Sequence, residues 1–157
     1  MDAQEMTPEI GLERDVEELS RLSGPTPETA AEIDRIRSEV EELKREFSTA
    51  MAQTLRTDAP MHRLWYDLRN QSLFEESFRA DVLEIDQRRE EMIWRVISRY
   101  AEFAGITVAV SPGVAYAMLD GLFQRALLHQ LAGNEHAADD LAANVVRVLD
   151  TLKVAGP

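Results

Sequence analysis

The segment at residues 111–132 constrains the fold more than any other, because its apolar side chains cover most of a helical circumference. It opens with Ser111 and Pro112, which are both favoured at a helix start, and Gly133 follows it as a natural left-handed cap. A helix that is apolar nearly all round is buried on both sides. In a chain of 157 residues, we expect a second copy of the chain to cover one of those sides, which predicts a homodimer. The alternative is a monomer whose N-terminal helix covers the same surface.

Apolar residues at spacings of three and four predict helices along nearly the whole chain, about six in all, with no sheet. The predicted helices cover residues 8–23, start again at residues 26 and 58, run from residue 74 to Gly105, and then cover residues 111–132 and 134–153. Residues 106–110 are rich in β-branched side chains but lack a partner strand, so we expect an extended connector. The fold class is therefore an all-α bundle. We expect one domain at residues 8–153 between a disordered tail at 1–7 and a short tail at 154–157.

The apolar positions also predict which side chains point inward. On the second helix they are Ile33, Ile36, Val40, Leu43, Phe47, Ala50 and Met51, and the charged residues between them, Lys44 included, form a predicted solvated face. On the third and fourth helices they include Leu64, Trp65, Leu68, Leu73, Phe74, Phe78, Val82, Ile85, Met92, Ile93, Val96, Ile97, Tyr100 and Phe103.

Charge and cysteine content narrow the function. The chain has 17 Lys+Arg against 29 Asp+Glu, a formal net charge of -12, which works against binding a phosphate backbone. The absence of cysteine excludes disulfides and thiolate chemistry and fits a reducing cytoplasm. The first residues lack the basic and apolar regions of a signal peptide, and no apolar run approaches the roughly 18 residues of a membrane span. We therefore expect a cytoplasmic protein without membrane contact.

Catalytic and metal patterns are weak. The chain has no Gly-rich phosphate loop and no Gly-x-Ser-x-Gly motif, and the adjacent pair Glu75 and Glu76 points in different directions on a helix. His136 and Asp140 have the i, i+4 spacing of metal ligands, yet the acids nearby suit a helix N-terminus equally well. We expect no catalytic residue, metal or cofactor, and a small helical enzyme or metal protein stays as an alternative that copurified metal would favour.

Several segments, taken in order, resemble the C-terminal regulatory domain of tetracycline-repressor-type (TetR/AcrR) transcription regulators. They are the Leu-Trp-x-x-Leu run at residues 64–68, residues 74–79, the long helix through Arg88 and Arg89, residues 103–105, and the Ala-Met-Leu-Asp-Gly-Leu-Phe-Gln run at residues 117–124. The resemblance covers roughly residues 8–153, and residues 117–122 are its most specific part. It implies helices that enclose an effector pocket, with the last two helices pairing with their two-fold mates as a four-helix bundle.

The resemblance also implies roles for individual residues. Asp120 and Gly121 match the family pattern and are expected to be structural. The predicted dimer interface is Val114, Met118, Gly121, Leu122, Ala126, Leu141, Val145, Val148, Leu149 and Leu152. The pocket candidates are Phe47, Met51, Trp65, Tyr66, Arg69, Trp94, Tyr100, Phe103, Phe123 and His129. The effector is expected to be apolar or amphipathic, with Arg69 or His129 as the polar anchor for an anionic or hydrogen-bonding ligand.

One departure from the family is large. Its members begin with a helix-turn-helix of about fifty residues, which nothing here matches; Gly11 and Gly24, the candidates for its turn, lie among acidic residues where a recognition helix needs basic ones. We therefore expect this chain not to bind DNA directly. It is either the effector-sensing and dimerising domain of a regulator, with the helix at residues 8–23 coupling it to the DNA-binding head, or a stand-alone interaction protein that pairs with itself or with a full-length relative.

Overall fold

The computed structural model describes residue 24 and residues 26–154. That part of the chain is almost entirely helical, which confirms the all-α fold class. Its helices are α1 (Pro27–Thr57), α2 (Ala59–Gln71), a 3-10 turn (Glu76–Phe78), α3 (Arg79–Ala104), α4 (Pro112–Leu131) and α5 (Ala137–Thr151). The predicted helix at residues 8–23 and tail at residues 1–7 lie outside the described residues. None of the described helices has the length and apolar character needed to cross a bilayer.

The helix boundaries follow local signals in the sequence. The Thr26 hydroxyl accepts a hydrogen bond of 3.2 Å from the amide of Thr29 at the start of α1, and Ser111 accepts one from Val114 at the start of α4. Gly105 ends α3 in the left-handed backbone conformation at φ 63°, which residues other than glycine rarely adopt. These predicted starts and stops are confirmed. The fourth predicted helix begins later than expected, because a 3-10 turn precedes Arg79.

The chain divides into two compact units, residues 1–35 and residues 36–157. In the first unit the described residues form the exposed opening turns of α1, where Arg35 pairs with Glu32 one turn earlier. Ile33, predicted to point inward, is 40% exposed there.

In the second unit α4 packs against α2, α3 and α5. The side chains at the centre of this core are almost completely buried; the largest are Leu55, Ile97, Tyr100, Leu119, Leu141, Val145, Leu149 and Leu152. The central position of α4 explains why its sequence is apolar on so many sides.

The connector after α3 is not merely extended, as the sequence predicted. Thr107–Val108 (β1) pairs in antiparallel register with Lys153–Val154 (β2), and the amide of Ala109 donates to the carbonyl of Leu152 at 3.0 Å. The partner strand was missed because only two residues on each side take part. The pairing ties the end of α5 to the turn between α3 and α4.

Two predicted faces are rotated in the structure. The buried stripe of α1 is Lys44, Ser48, Ala52 and Leu55, so Lys44 was wrongly predicted to be solvated, while Ala50 is exposed. On the following segments, several residues predicted to point inward are exposed. The buried stripe of each helix is narrower than the apolar stripe seen in the sequence. They are Leu64, Leu68, Leu73, Phe74, Ile85, Met92 and Phe103.

Candidate ligand-binding site

A cavity of about 310 Å³ lies among α1, α2, α3 and α4. This volume falls at the lower end of the roughly 300–1,000 Å³ typical of small-molecule sites. Its wall is mostly apolar, formed by Phe47, Ala50, Met51, Met92, Ile93, Val96, Leu119 and Phe123. Six polar residues complete it: Thr54, His62, Tyr66, Arg89, Tyr116 and Asp120.

Helical spacing places these side chains on one surface. From α1, Phe47, Met51 and Thr54 stand three and four residues apart, and from α4, Tyr116, Asp120 and Phe123 do the same. Each helix therefore presents one stripe to the cavity, which mixes apolar and polar residues at the position where four helices meet.

A polar network connects three of these helices beside the cavity. On α4, Asp120 accepts a hydrogen bond of 2.9 Å from the Tyr66 hydroxyl and a charge-assisted one from Arg69, both on α2. Arg69 also lies 3.6 Å from Asp86 on α3, which accepts a hydrogen bond of 2.8 Å from the Tyr116 hydroxyl. Both carboxylates are therefore paired with donors inside the protein.

The environment keeps both tyrosines protonated. Burial, followed by the charge of Asp120, raises the pKa of the Tyr66 hydroxyl far above its usual range, and burial and Asp120 do the same to the pKa of Tyr116. Burial, the largest single influence, would lower the pKa of Arg69, but its hydrogen bond to Asp120 and the negative charges of Asp120 and Asp86 together outweigh burial and raise it. The two tyrosines therefore act in this network as neutral phenol donors, and Arg69 as a guanidinium.

Arg89 and His62 lie outside this network. The Arg89 guanidinium lies over the Trp65 ring, 4.9 Å from its centroid, and in the described part of the chain no carboxylate lies within ion-pair distance of it. The His62 ring lies 4.5 Å from that of Phe123. Burial, and then the positive charge of Arg89, lowers the pKa of His62, so its imidazole is neutral near pH 7.

The structure brings some of the predicted pocket residues together. Phe47, Met51, Tyr66 and Phe123 line the cavity. Trp65 is buried beneath Arg89, and Arg69 stands behind the wall in the polar network.

The other predicted pocket residues lie elsewhere. Tyr100 is buried in the core and Trp94 packs partly against it, whereas Phe103 is exposed with Arg99 over its ring. His129 lines surface clefts beside α4 rather than the cavity.

Sequence reasoning missed the polar part of the wall, namely His62, Arg89, Tyr116 and the dual position of Asp120. For the part of the wall around Asp120 the sequence does hold a signal. Tyr66 and Arg69 are three residues apart, and Tyr116 and Asp120 four apart, on helices that otherwise bury apolar stripes. When two polar residues one turn apart lie on such a helix, this pattern indicates that both bind a common polar partner inside the protein rather than water.

The predicted dimer interface requires a correction. Leu141, Val145, Leu149 and Leu152 are at most 2% exposed, because α5 directs its apolar stripe into the core of its own chain, and Ala126 is buried with them. Leu122 and Val148 are half-buried. Only Val114, Met118 and Gly121 of the predicted set remain exposed.

These three residues belong to a continuous exposed stripe, the outer face of α4, which comprises Val114, Ala117, Met118, Gly121, Gln124, Arg125 and Leu128. Beside it, an open groove of about 1010 Å³ separates α4 from α2 and exposes Leu64 and Leu131. The stripe is therefore mostly apolar, whereas the groove beside it also carries polar and charged residues such as Arg63, Asp67 and Asn70.

Comparisons of the chain with protein-family models, with curated proteins and with solved structures each found no match. Within the described ranges, no three His, Asp or Glu side chains are grouped as metal ligands.

Proposed function

We propose that this chain is the effector-sensing and dimerising domain of a tetracycline-repressor-type transcription regulator, in which a small apolar or amphipathic molecule occupies the cavity. The observation that carries the proposal is the cavity itself, a mostly apolar space between four helices, partly open to solvent, with a few polar groups at its wall.

The position of α4 supports a link between binding and assembly. The same helix contributes Tyr116, Leu119, Asp120 and Phe123 to the cavity and presents its outer face to the exterior. A ligand that fits one placement of α4 better than another shifts the population toward that placement. In a dimer joined through the outer face of α4, this shift changes the spacing of attached DNA-binding segments.

We propose binding rather than catalysis for the cavity. The hydroxyls of Tyr66 and Tyr116 donate to carboxylates, and the Thr54 hydroxyl donates to the carbonyl of Met51 at 3.2 Å. Burial raises the pKa of both phenols, so the carboxylates that accept their hydrogen bonds leave them protonated rather than activating them as nucleophiles.

A neutral fluorescent probe, N-phenyl-1-naphthylamine, tests the cavity. We expect it to bind with one-to-one stoichiometry, and Met51→Trp, which fills the space between α1 and α4, to weaken binding at least tenfold. Met61→Trp is the matched control, because Met61 is 67% exposed and does not line the cavity. Equal probe binding by the two variants would show that the cavity is not the binding site.

The outer face of α4 favours the alternative, a stand-alone interaction protein that pairs with itself or with a full-length relative. An exposed apolar stripe of this length on a soluble chain marks an interaction site. A chain that dimerises in sedimentation equilibrium but binds no probe in its cavity would favour this alternative over the sensing domain.

A further inference from the structure

Most polar groups around the cavity are satisfied within the protein. Tyr66 and Tyr116 donate to Asp120 and Asp86, and Thr54 donates to a backbone carbonyl of its own helix. Both carboxylate oxygens of Asp120 accept hydrogen bonds, one from Tyr66 and one from Arg69. A ligand therefore finds these four residues already engaged.

Arg89 and His62 are the two polar residues of the wall that remain. Among the described residues, neither side chain has a hydrogen-bond partner; the Arg89 guanidinium lies over the Trp65 ring, and the His62 ring lies against that of Phe123. A cation–π contact uses the positive charge of the guanidinium and leaves its N–H groups available for acceptors. Its planar fork matches a carboxylate in particular.

From this distribution of donors we infer that the cavity takes a small amphipathic carboxylate, whose anionic head pairs with Arg89 while its apolar body lies against the side chains of α1 and α3. The inference rests on the proposed function, because it specifies the ligand of the same cavity. A cationic ligand is disfavoured, since Asp120, the acid of the wall, is already neutralised by Arg69.

The choice of head group is tested with three molecules of equal chain length: octanoate, octanol and octylamine. Trp65 beneath Arg89 supplies the fluorescence signal, and Trp94→Phe removes the other tryptophan, which does not line the cavity. We expect octanoate to bind roughly ten- to hundredfold more tightly than octanol, as one charge-assisted hydrogen-bonded pair provides. We expect octylamine to bind most weakly.

Variants at position 89 assign the preference to one side chain. Arg89→Gln should reduce octanoate affinity to that of octanol and leave octanol binding unchanged, and Arg89→Lys should keep part of the preference. Arg88→Gln is the matched control, because Arg88 is the neighbouring arginine but is exposed and pairs with Glu84 on the surface. If Arg89→Gln does not fold, the Arg89→Lys variant and the head-group series still decide the matter.

The outcomes separate the two proposals. Octanol and octanoate binding equally well in a cavity that also binds the neutral naphthylamine probe overturns the carboxylate inference and leaves the sensing function standing. An octanoate preference that Arg89→Gln does not reduce also overturns the inference. Binding of neither the probe nor any of the three alkyl molecules rejects the sensing function, and the inference with it.

Discussion

The hydroxyl of Tyr66 on α2 donates a hydrogen bond of 2.9 Å to Oδ1 of Asp120 on α4, although 54 residues separate them in the chain. Arg69, one turn further along α2, donates to the other oxygen of the same carboxylate. One side chain thus joins α2 to α4 at two points. The network extends to α3 through Asp86, so the positions of three of the four helices around the cavity depend on it.

The first prediction concerns Asp120→Asn. The amide retains one acceptor where the carboxylate has two charged oxygens, so either Tyr66 or Arg69 loses its partner in a half-buried setting. We expect the free energy of unfolding in urea to fall by about 1–3 kcal/mol, the penalty of a poorly satisfied buried donor.

Asp67→Asn is the control for this measurement. Asp67 lies on the same helix as Tyr66 but is exposed, and among the described residues its side chain is hydrogen-bonded only to Gln71. It should change stability by no more than about 0.5 kcal/mol. Equal effects of the two variants would mean that the network adds nothing to stability.

The second prediction is a loss of stability at alkaline pH. Unfolded tyrosines release their protons near pH 10, whereas burial and the charge of Asp120 raise the pKa of Tyr66 and Tyr116 in the native state. Above about pH 10 the unfolded chain therefore binds fewer protons than the native chain, and stability falls as pH rises. The urea midpoint, measured as pH rises through that value, should drop less steeply in Tyr66→Phe and least in the double variant with Tyr116→Phe.

Tyrosinate absorbance provides an independent check of the same linkage. In the native protein it should appear for these two residues only together with the loss of helical circular dichroism. Tyrosinate formation by both residues near pH 10 in a fully helical protein contradicts the prediction.

The third prediction concerns Lys44, whose side chain is 6% exposed and whose Nζ lies 2.6 Å from Glu41 and 3.0 Å from Asp150. Glu41→Gln with Asp150→Asn leaves the ammonium without a carboxylate, and we expect a loss of about 1–3 kcal/mol. Lys44→Met removes the buried charge and leaves the carboxylates in contact with water, so it should be neutral or stabilising. Urea unfolding measures the free energy of unfolding of both variants. If Lys44→Met is the less stable of the two, the prediction is wrong.

Lys44 also shows where sequence reasoning stops. Helical spacing locates the helices and their caps well, as Thr26, Ser111 and Gly105 show, because those signals act within one turn. Which stripe of a helix is buried depends on neighbours distant in sequence. The Asp150 carboxylate that accepts a hydrogen bond from Lys44 lies 106 residues away on α5.

The candidate site follows the same rule. The aromatic and methionine part of the wall was predictable from composition, as with Phe47 and Met51. Arg89 was not predictable. It is one of six consecutive charged or polar residues at positions 86–91, and the sequence does not indicate which of them faces the cavity. Likewise, the stripe of α5 that suggested an interface is buried because α5 and α4 pack within one chain.

The last prediction uses Gly121, which lies inside α4 on its outer face and is exposed. A Cβ atom built there meets nothing within 4 Å, so the chain itself has room for a side chain. Glycine inside a helix costs about 0.5–1 kcal/mol relative to alanine, and glutamine is also a good helix former. Gly121→Gln should therefore stabilise the isolated chain by several tenths of a kcal/mol, measured by urea unfolding at a concentration where only monomer is present.

The same substitution should weaken the dimer, because a long polar side chain then stands in the middle of the apolar face that we propose joins two copies. Sedimentation equilibrium should show at least a tenfold increase in the dissociation constant, whereas Ala80→Gln, at an exposed position on α3, leaves it unchanged. A substitution that stabilises the monomer but weakens the dimer indicates that the face is an interface. At a face that is only solvated, the substitution would leave the dimer unchanged. If Gly121→Gln dimerises as well as the parent chain, the outer face of α4 is not where the two copies meet.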